Sequence, residues 1–281
     1  MTILLVGGSS SLAKALKPKL LRFCQVLTAG RNNCDITIDL ADCAKKYALP
    51  NNIDFVINTA GSFGGKSFDK IYDAENVNVL GNLSLCEASI NAGVKHYIYI
   101  SSIFSEITEN SDHYNIYSIS KKHSEDIIKY YCKLNNLPLC ILKPSQIYGV
   151  SEIFRKHQPF FYSILDNVMN NKDVNLYGTN DPLRNYIYID DLTDILIKVI
   201  QQNIVGIYPC TSMKNVTYSE IANIAFKTFN TQGVINFIEN KPNISNNIFN
   251  IDDSLYKKIN YYPQVSIEEG IKKIALSKKQ Q

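Results

Sequence analysis

The chain predicts an α/β fold: a doubly wound parallel sheet followed by a smaller, partly interleaved C-terminal α/β lobe. Three observations carry that expectation. Through the first half, short apolar runs alternate with stretches of helical period, the order that gives strand, helix, strand and a parallel sheet covered on both faces. The first run leads directly into a turn of small residues, Gly7-Gly8-Ser9-Ser10-Ser11. After Gly149 the alternation gives way to longer polar stretches. In order, residues 3–6 form a buried strand and about 12–22 a helix; 25–29 and 53–58 are the next two strands. A helix over about 74–92 carries Val77, Leu80, Leu83, Leu85 and Ala88 at helical spacing and is ended by Gly93. Strand 97–100, a helix around 117–135 and strand 139–142 complete the first part. Beyond it come a helix near 160–169, a polar loop over 170–184, a short strand at 186–189 and a helix over 191–201. A strand at 207–209, a helix at 219–229, an Asn-rich loop at 240–250 and a terminal helix from about 266 follow. The expected domains are 1–149, with parts of 185–205 returning to it, and 150–281. Such a sheet places its ligand at the carboxyl ends of its strands.

Charge and composition exclude several classes. Lys+Arg 29 against Asp+Glu 26 gives a net charge of +3, which provides no basic stripe for nucleic acid. Lys272, Lys273, Lys278 and Lys279 read as a solvated helix face. Ile (37), Asn (30) and Lys (25) are abundant while Arg occurs four times, a skew attributable to codon usage. Against it, a retained Arg suggests a need for its planar fork. The seven cysteines form no CxxC pair and no zinc-finger spacing, so reduced, largely buried thiols, no metal and a cytoplasmic location are expected. No secretory leader and no apolar stretch of bilayer length is read, so no membrane is expected. The sequons at Asn82, Asn215 and Asn243 are expected by chance in so Asn-rich a chain.

The small-residue turn has a chemical reading. Backbone N–H groups and the dipole of the following helix would face an anion there, with Gly7, Ser9, Ser10, Ser11 and Leu12 as the contacts. The glycine pattern is degenerate: Gly7 holds the first position, Ser10 the second and Ala13 the third. At the end of the second strand, Thr28-Ala29-Gly30-Arg31 has no acid at hand, where a carboxylate would bind the ribose hydroxyl of NAD. A guanidinium suits a 2′-phosphate, so NADP(H) is preferred and NAD(H) is the alternative; Arg31 as a solvated turn residue is the third reading.

Tyr117 and Lys121 stand four residues apart on one helix face. An ammonium beside a phenol of ordinary pKa about 10 is expected to lower it, fitting the phenol to exchange a proton with a carbinol oxygen while hydride moves at the adjacent carbon. Ser101-Ser102 ends the preceding strand and offers a hydroxyl to the same oxygen.

With this ordered set the chain resembles the extended short-chain dehydrogenases/reductases, the NAD(P)-dependent epimerase/dehydratase group acting on nucleotide sugars, on a Rossmann-type sheet. The resemblance covers nearly the whole length. Asp39-Leu40 resembles the pair that contacts adenine. Asn58-Thr59-Ala60-Gly61 resembles the segment lying along the cofactor, and Asn78-Val79-Leu80-Gly81-Asn82 the helix whose Asn braces the active site. Ser102, Tyr117 and Lys121 match the catalytic triad. The run Lys143-Pro144-Ser145-Gln146-Ile147-Tyr148-Gly149 resembles the segment near nicotinamide and sugar, with Lys where the family has Arg. Arg184 begins a run similar to the one whose Arg binds the nucleotide diphosphate, and Ser266-Ile267-Glu268-Glu269 resembles the terminal helix start.

The resemblance implies Thr59, Ala60, Gly61, Asn78, Tyr117, Lys121 and Pro144 as further cofactor contacts, and Ser102, Ser145, Gln146 and Arg184 as substrate contacts. It also implies a nucleotide-diphosphate sugar as ligand and a homodimer through helices 74–92 and 117–135. Ser102 and Tyr117 are 15 residues apart, short for the group, so the loop over the sugar is trimmed. Ile103 and Phe104 follow Ser102 where dehydratases place acids. Reduction of the keto group of a nucleotide-linked 4-keto-6-deoxy sugar is therefore expected. A nucleotide-sugar epimerase with tightly bound NAD and a non-catalytic NADPH-binding sensor are the alternatives. Arg155 and Lys156 are secondary diphosphate candidates against a solvated-helix reading.

Overall fold

The computed structural model describes residues 1–42 and 47–279. Cys43, one of the seven cysteines, and the side chain of Lys279 lie outside the described residues. In chain order the elements are β1 (Thr2–Val6), α1 (Ser11–Leu20), β2 (Gln25–Gly30), β3 (Ile36–Thr37), β4 (Phe55–Asn58), α2 (Phe68–Glu75), a π turn (Asn76–Leu80), α3 (Gly81–Asn91), β5 (His96–Ile100), a 3-10 turn (Ile103–Glu106), α4 (Ile116–Leu134) and β6 (Leu139–Pro144). There follow β7 (Gln146–Tyr148), α5 (Ile153–His157), α6 (Pro159–Met169), β8 (Val174–Tyr177), β9 (Leu183–Arg184), β10 (Tyr186–Tyr188), α7 (Ile189–Gln201), β11 (Gly206–Cys210), β12 (Val216–Thr217), α8 (Tyr218–Phe229), β13 (Ile235–Ile238), α9 (Ser254–Ile259) and α10 (Ile267–Lys279). Contacts divide the chain into one unit of Met1–Pro144 with Leu196–Cys210 and a second of Ser145–Ile195 with Thr211–Gln281.

The first unit is the Rossmann-type sheet. Its strand order is β11-β6-β5-β4-β1-β2-β3, every pair parallel. Residues of β1, β4 and β5 are buried on both faces, which is why those strands read as unbroken apolar runs rather than alternations. On one face Leu4, Val6, Val56, Tyr97 and Tyr99 meet Leu85, Cys86 and Ala88 of α3 and Ile128 and Cys132 of α4. Removing one such Leu to Ala costs about 2–5 kcal/mol.

Small parallel and antiparallel pairs organise the second unit: β7 with β10, β8 with β13, and β9 with β12. Here the sequence reading needs correction. Residues 170–184 are not a plain polar loop: β8 buries Val174 and Leu176 and exposes Asn175 and Tyr177, and four residues hide the alternation among asparagines. Strands β7 and β13 and helices α5 and α9 were likewise too short to show a period. The 74–92 helix also begins earlier, at Phe68, and is interrupted by the π turn. The expected basic face of the last helix is largely paired: Lys272 with Glu268, Lys273 with Asp190 and Lys278 with Asp166. Arg155 is no solvated side chain either, because both its Nη atoms bond the carboxylate of Asp166.

The asparagine excess has a structural use. Asn136, Asn171, Asn203, Asn230 and Asn260, each just past a helix end, have φ between 51° and 54° or, for Asn260, 49°. This is the left-handed conformation that closes helices and that Asn tolerates best after Gly.

Four of the cysteines (Cys86, Cys132, Cys140 and Cys210) are buried, Cys24 and Cys34 are half-buried, and none of these six is in a disulfide. Among the described residues no helix is long and apolar enough to cross a membrane, and no group of three or more His, Cys, Asp or Glu could hold a metal ion.

Candidate active site

Three loops at the carboxyl ends of β1, β4 and β5 and the start of α4 assemble the site in the first unit. After β1 the chain turns at Gly7, whose φ is +77° and whose Cβ, were there one, would stand 2.7 Å from the Ala60 nitrogen. Only glycine meets both conditions. Ser10, at the second position of the eroded glycine pattern, is the N-cap of α1. Its Oγ accepts from Ala13 N at 3.0 Å and lies 2.9 Å from Thr59 Oγ1, which donates to Val6 O at 2.8 Å. The serine side chain is thereby turned toward the β1–β4 seam. The N–H groups of Ser11 and Leu12 remain in the first turn, where an α-helix offers them no internal acceptor, and Ser9 is exposed.

At the end of β2, Arg31 is exposed, and among the described residues nothing pairs with its guanidinium. The expectation that no acid is at hand needs correction. A turn through Asn33, at φ 52°, brings the Asp35 carboxylate back to β2. Its Oδ2 accepts from Thr28 N at 2.8 Å and from Thr28 Oγ1 at 2.7 Å. These two bonds hold its pKa below the usual carboxylate range. Spacing along the chain could not show an acid that folds back. Asp39 is exposed, with Oδ1 accepting from Ala41 N at 3.1 Å, and Leu40 is buried. A Cβ on Gly81 would stand 2.3 Å from the Leu40 carbonyl, so the segment carrying Asp39 and Leu40 rests directly on the start of α3.

The segment after β4 is tied to α4 through the π turn. Asn58 bonds Asn82 (2.8 Å), and Asn82 bonds Ser124 of α4 (2.8 Å). Asn78, buried in the π turn, donates to Ser120 Oγ and to Ser62 O, each at 2.8 Å, and accepts from Ser62 N at 2.7 Å. Such turns put a side chain where a regular helix would not. A Cβ on Gly61 would stand 3.3 Å from both Asn78 Oδ1 and Lys121 Nζ, so Gly61 keeps that surface low.

Helix α4 begins in a capping box: Asn115 Oδ1 accepts from Tyr117 N (2.9 Å) and Ser118 N (3.3 Å), while Asn115 N donates to Ser118 Oγ at 3.1 Å. This fixes Tyr117 in the first turn. Lys121, 3 % exposed, donates to Tyr99 Oη at 3.2 Å and Ile100 O at 3.0 Å, with Nζ 5.9 Å from the Tyr117 ring centre. Burial lowers Lys121 to about 8, opposed by the carboxylate of Glu125 one turn on. Glu125 is itself buried and accepts from Ser101 Oγ. The Tyr117 phenol departs from expectation: burial pushes it up to about 12, and the group that opposes the rise is the Ser102 hydroxyl, not Lys121. The ammonium is held by Tyr99 and a carbonyl, while desolvation of the phenol dominates. Ser102 also N-caps the 3-10 turn, its Oγ accepting from Phe104 N at 3.2 Å. The sequence reading missed Asn115, Glu125 and Phe63, whose ring stacks on Tyr117. A cap signal, Asn before a helical run with Ser three residues on, was available for Asn115; nothing local signals the other two.

Pro144 closes β6, and Lys143 before it bonds Glu106. A cavity of about 610 Å³ opens along α4, lined by Ser105, Glu106, Ser118, Lys122, Glu125 and Lys143 among others; Ser102, Tyr117 and Lys121 are not in its wall.

In the second unit Ser145 Oγ and Gln146 Oε1 are buried without a hydrogen-bond partner, while Gln146 Nε2 donates to Gln158 at 2.6 Å. Arg184 is 4 % exposed. Its Nε donates to Tyr218 Oη at 2.9 Å and its Nη1 to the carbonyls of Leu183 and Ser245 at 2.8 and 2.9 Å. One edge of its fork is therefore engaged inside this unit.

The model of the NAD dependent epimerase/dehydratase family matches residues 3–208. A trifunctional UDP-glucose 4,6-dehydratase/UDP-4-keto-6-deoxy-D-glucose 3,5-epimerase/UDP-4-keto-L-rhamnose-reductase of Arabidopsis thaliana is 23% identical over 256 residues, covering 85% of this chain and 38% of its own. The dTDP-D-glucose 4,6-dehydratase of Dictyostelium discoideum is 29% identical over 278 residues, covering 79% of this chain and 63% of its own. The chain thus spans less than two thirds of the length of these curated relatives. Among solved structures, RMD from Pseudomonas aeruginosa complexed with NADPH superposes with a TM-score of 0.80 at 16% identity, over 100% of this chain and 99% of that one. UDP-glucuronic acid 4-epimerase from Bacillus cereus in complex with NAD gives 0.77 at 19%, over 100% and 99%. At these identities the likeness is one of fold.

Proposed function

Because this chain belongs to the NAD dependent epimerase/dehydratase family, of the extended short-chain dehydrogenase/reductase type, we propose that it is an NADPH-dependent reductase acting on the keto group of a nucleotide-linked 4-keto-6-deoxy sugar. The observation that carries the choice is the contrast at the end of β2. A carboxylate that folds back onto that strand, Asp35, is engaged by Thr28, while the guanidinium of Arg31 has no partner among the described residues. An open guanidinium suits a 2′-phosphate better than a ribose hydroxyl.

The cradle fits a dinucleotide. Gly7 is the residue a Cβ would obstruct, and the N–H groups of Ser9, Ser11 and Leu12 would take the pyrophosphate beside Gly7 and Ser10. Arg31 would take the 2′-phosphate, Asp39 and Leu40 the adenine side, and Thr59, Ala60, Gly61, Asn78, Lys121 and Pro144 the remainder. When bound, the nicotinamide supplies hydride. The chain handles the proton: Tyr117, a strong enough base to be fully protonated near neutral pH, donates to the forming carbinol oxygen, and Ser102 orients that oxygen. Lys121, cationic below about pH 8, is held by Tyr99 and Ile100 with Nζ 5.9 Å from the Tyr117 ring centre, close enough for its charge to act on the phenolate that forms once the proton has left.

Dehydration is disfavoured because Ile103 is buried and Phe104 packs on Tyr117, leaving no acid directly after Ser102. In the second unit, Ser145, Gln146 and Arg184 are assigned to the nucleotide-diphosphate sugar; the unpartnered Ser145 Oγ and Gln146 Oε1 support this. A homodimer belongs to the same reading: Phe68, Tyr72, Tyr130 and Leu134 are exposed on α2 and α4, and light scattering checks it.

The test is to denature purified protein, assay released nicotinamide, and compare NADPH with NADH binding to the native form. The reductase reading expects little retained cofactor and preferential NADPH binding. Stoichiometric retained NAD would establish the epimerase instead, and NADPH binding without turnover of any nucleotide-linked keto sugar would establish a sensor.

A further inference from the structure

Phe63 is 57 % exposed, yet the loop carrying it is fixed more firmly than an exposed side chain requires. Asn78 grips both backbone groups of Ser62, and Ser62 Oγ accepts from Gly64 N at 3.2 Å. Gly64 has φ +66°, and a Cβ there would stand 2.6 Å from Ile116 Cγ2, on the residue preceding Tyr117. The loop is thus docked against the first turn of α4 at a spot only glycine allows. Between these two anchors the Phe63 ring lies over Tyr117, centroids 4.9 Å apart and planes 28° from parallel. A second ring meets Tyr117 edge-on: Phe104, at 6.4 Å and 65°, with its N–H held by Ser102 Oγ.

We propose that Phe63, backed by Phe104, is a positioning residue that clamps the Tyr117 ring and keeps its hydroxyl in the water-poor orientation from which it donates a proton. This deepens the reductase reading and rests on it for the reaction, though not for the clamp. Offset-stacked and edge-on contacts are the preferred aromatic geometries, so two rings from independently anchored loops restrict rotation of the phenol. They also exclude water from it, consistent with burial as the leading cause of its raised pKa. The titratable groups around the phenol are Lys121 on α4, with Glu125 behind it, and Tyr99 on β5; the Ser102 hydroxyl faces it from the end of β5. None is altered by changing Phe63.

The experiment replaces Phe63 by Ala, Leu and Tyr, and follows the ring-carbon resonance of Tyr117 by NMR on tyrosine-labelled protein, assigned with Tyr117→Phe. In Phe63→Ala the Tyr117 titration moves down from about 12 toward an ordinary phenol, and kcat falls about tenfold with KM for the keto sugar changed less than about twofold. Phe63→Tyr restores both and Phe63→Leu neither, because a stacking ring and not mere bulk is required. A Tyr117 titration in Phe63→Ala that matches wild type overturns the proposal, whether or not the enzyme is active. If wild type turns over no keto sugar while the titration shifts as stated, the clamp stands and the reductase reading falls.

Discussion

Two edges of the first unit differ in how they leave their polar groups. Around the start of α4, buried groups are engaged: Asn78 with Ser62 and Ser120, Lys121 with Tyr99 and Ile100, Glu125 with Ser101. Along the β1–α1 turn and the end of β2, the Arg31 guanidinium lacks a partner among the described residues, Ser9 is exposed, and the N–H groups of Ser11 and Leu12 lie in the first turn, where a helix offers them no internal acceptor. On the proposed reading the first edge handles a proton, which demands dry groups already in place. The second is suited to hold an anion, which demands donors not already occupied. Changes at the first edge should therefore damage turnover, and changes at the second binding.

The sharpest division of this kind is Tyr117→Phe. Turnover should fall at least about 10²-fold, the usual scale for losing a positioned acid, while NADPH affinity measured by fluorescence titration stays within about twofold. An equal loss in both would erase the distinction between the edges. Next is Gly7→Ala, which adds a methyl at φ +77°, 2.7 Å from Ala60 N. A left-handed non-glycine residue costs about 1–3 kcal/mol. Denaturant unfolding should register a loss of that order, with cofactor binding weakened beyond it. Arg31→Ala follows: NADPH should bind about tenfold more weakly, the value of one or two charge-assisted hydrogen bonds, and NADH no differently. Weakening of both cofactors alike would make Arg31 a surface residue and return weight to Asp35.

These two edges were not equally legible in the sequence. The parallel sheet was plain because β1, β4 and β5 bury every residue and so stand out as apolar runs. The order of Gly7, Ser102, Tyr117 and Lys121 could be read because those residues sit at strand ends or one helical turn apart. What escaped depends on contacts between distant segments: Asp35 folding back on Thr28, Phe63 lying on Tyr117, and a phenol pKa decided by burial, not by the neighbouring lysine. Asparagine abundance, attributed to codon usage, also closes helices at Asn136, Asn171, Asn203, Asn230 and Asn260. Composition alone could not separate the two causes.

The smallest effect tests the first edge through a residue that reaches the reacting centre only by its charge. Glu125 raises the pKa of Lys121 against the burial that lowers it to about 8. Glu125→Gln keeps the shape and the Ser101 contact but removes the charge, so Lys121 should lose its proton at lower pH. If the ammonium stabilises the phenolate, the alkaline limb of the kcat profile moves toward neutrality, with little change at acidic pH. Stability must respond in the opposite sense. A lysine at about 8 when folded and 10.5 as a model group binds more protons unfolded than folded between those values, so its contribution to stability rises with pH across that window. In Glu125→Gln the rise should begin at lower pH. Melting temperature and kcat, followed over the same pH range, should therefore diverge earlier in the variant than in the parent. If both profiles coincide with wild type, Lys121 does not act through its charge, and the engaged edge would be a packing feature and not a proton-handling one.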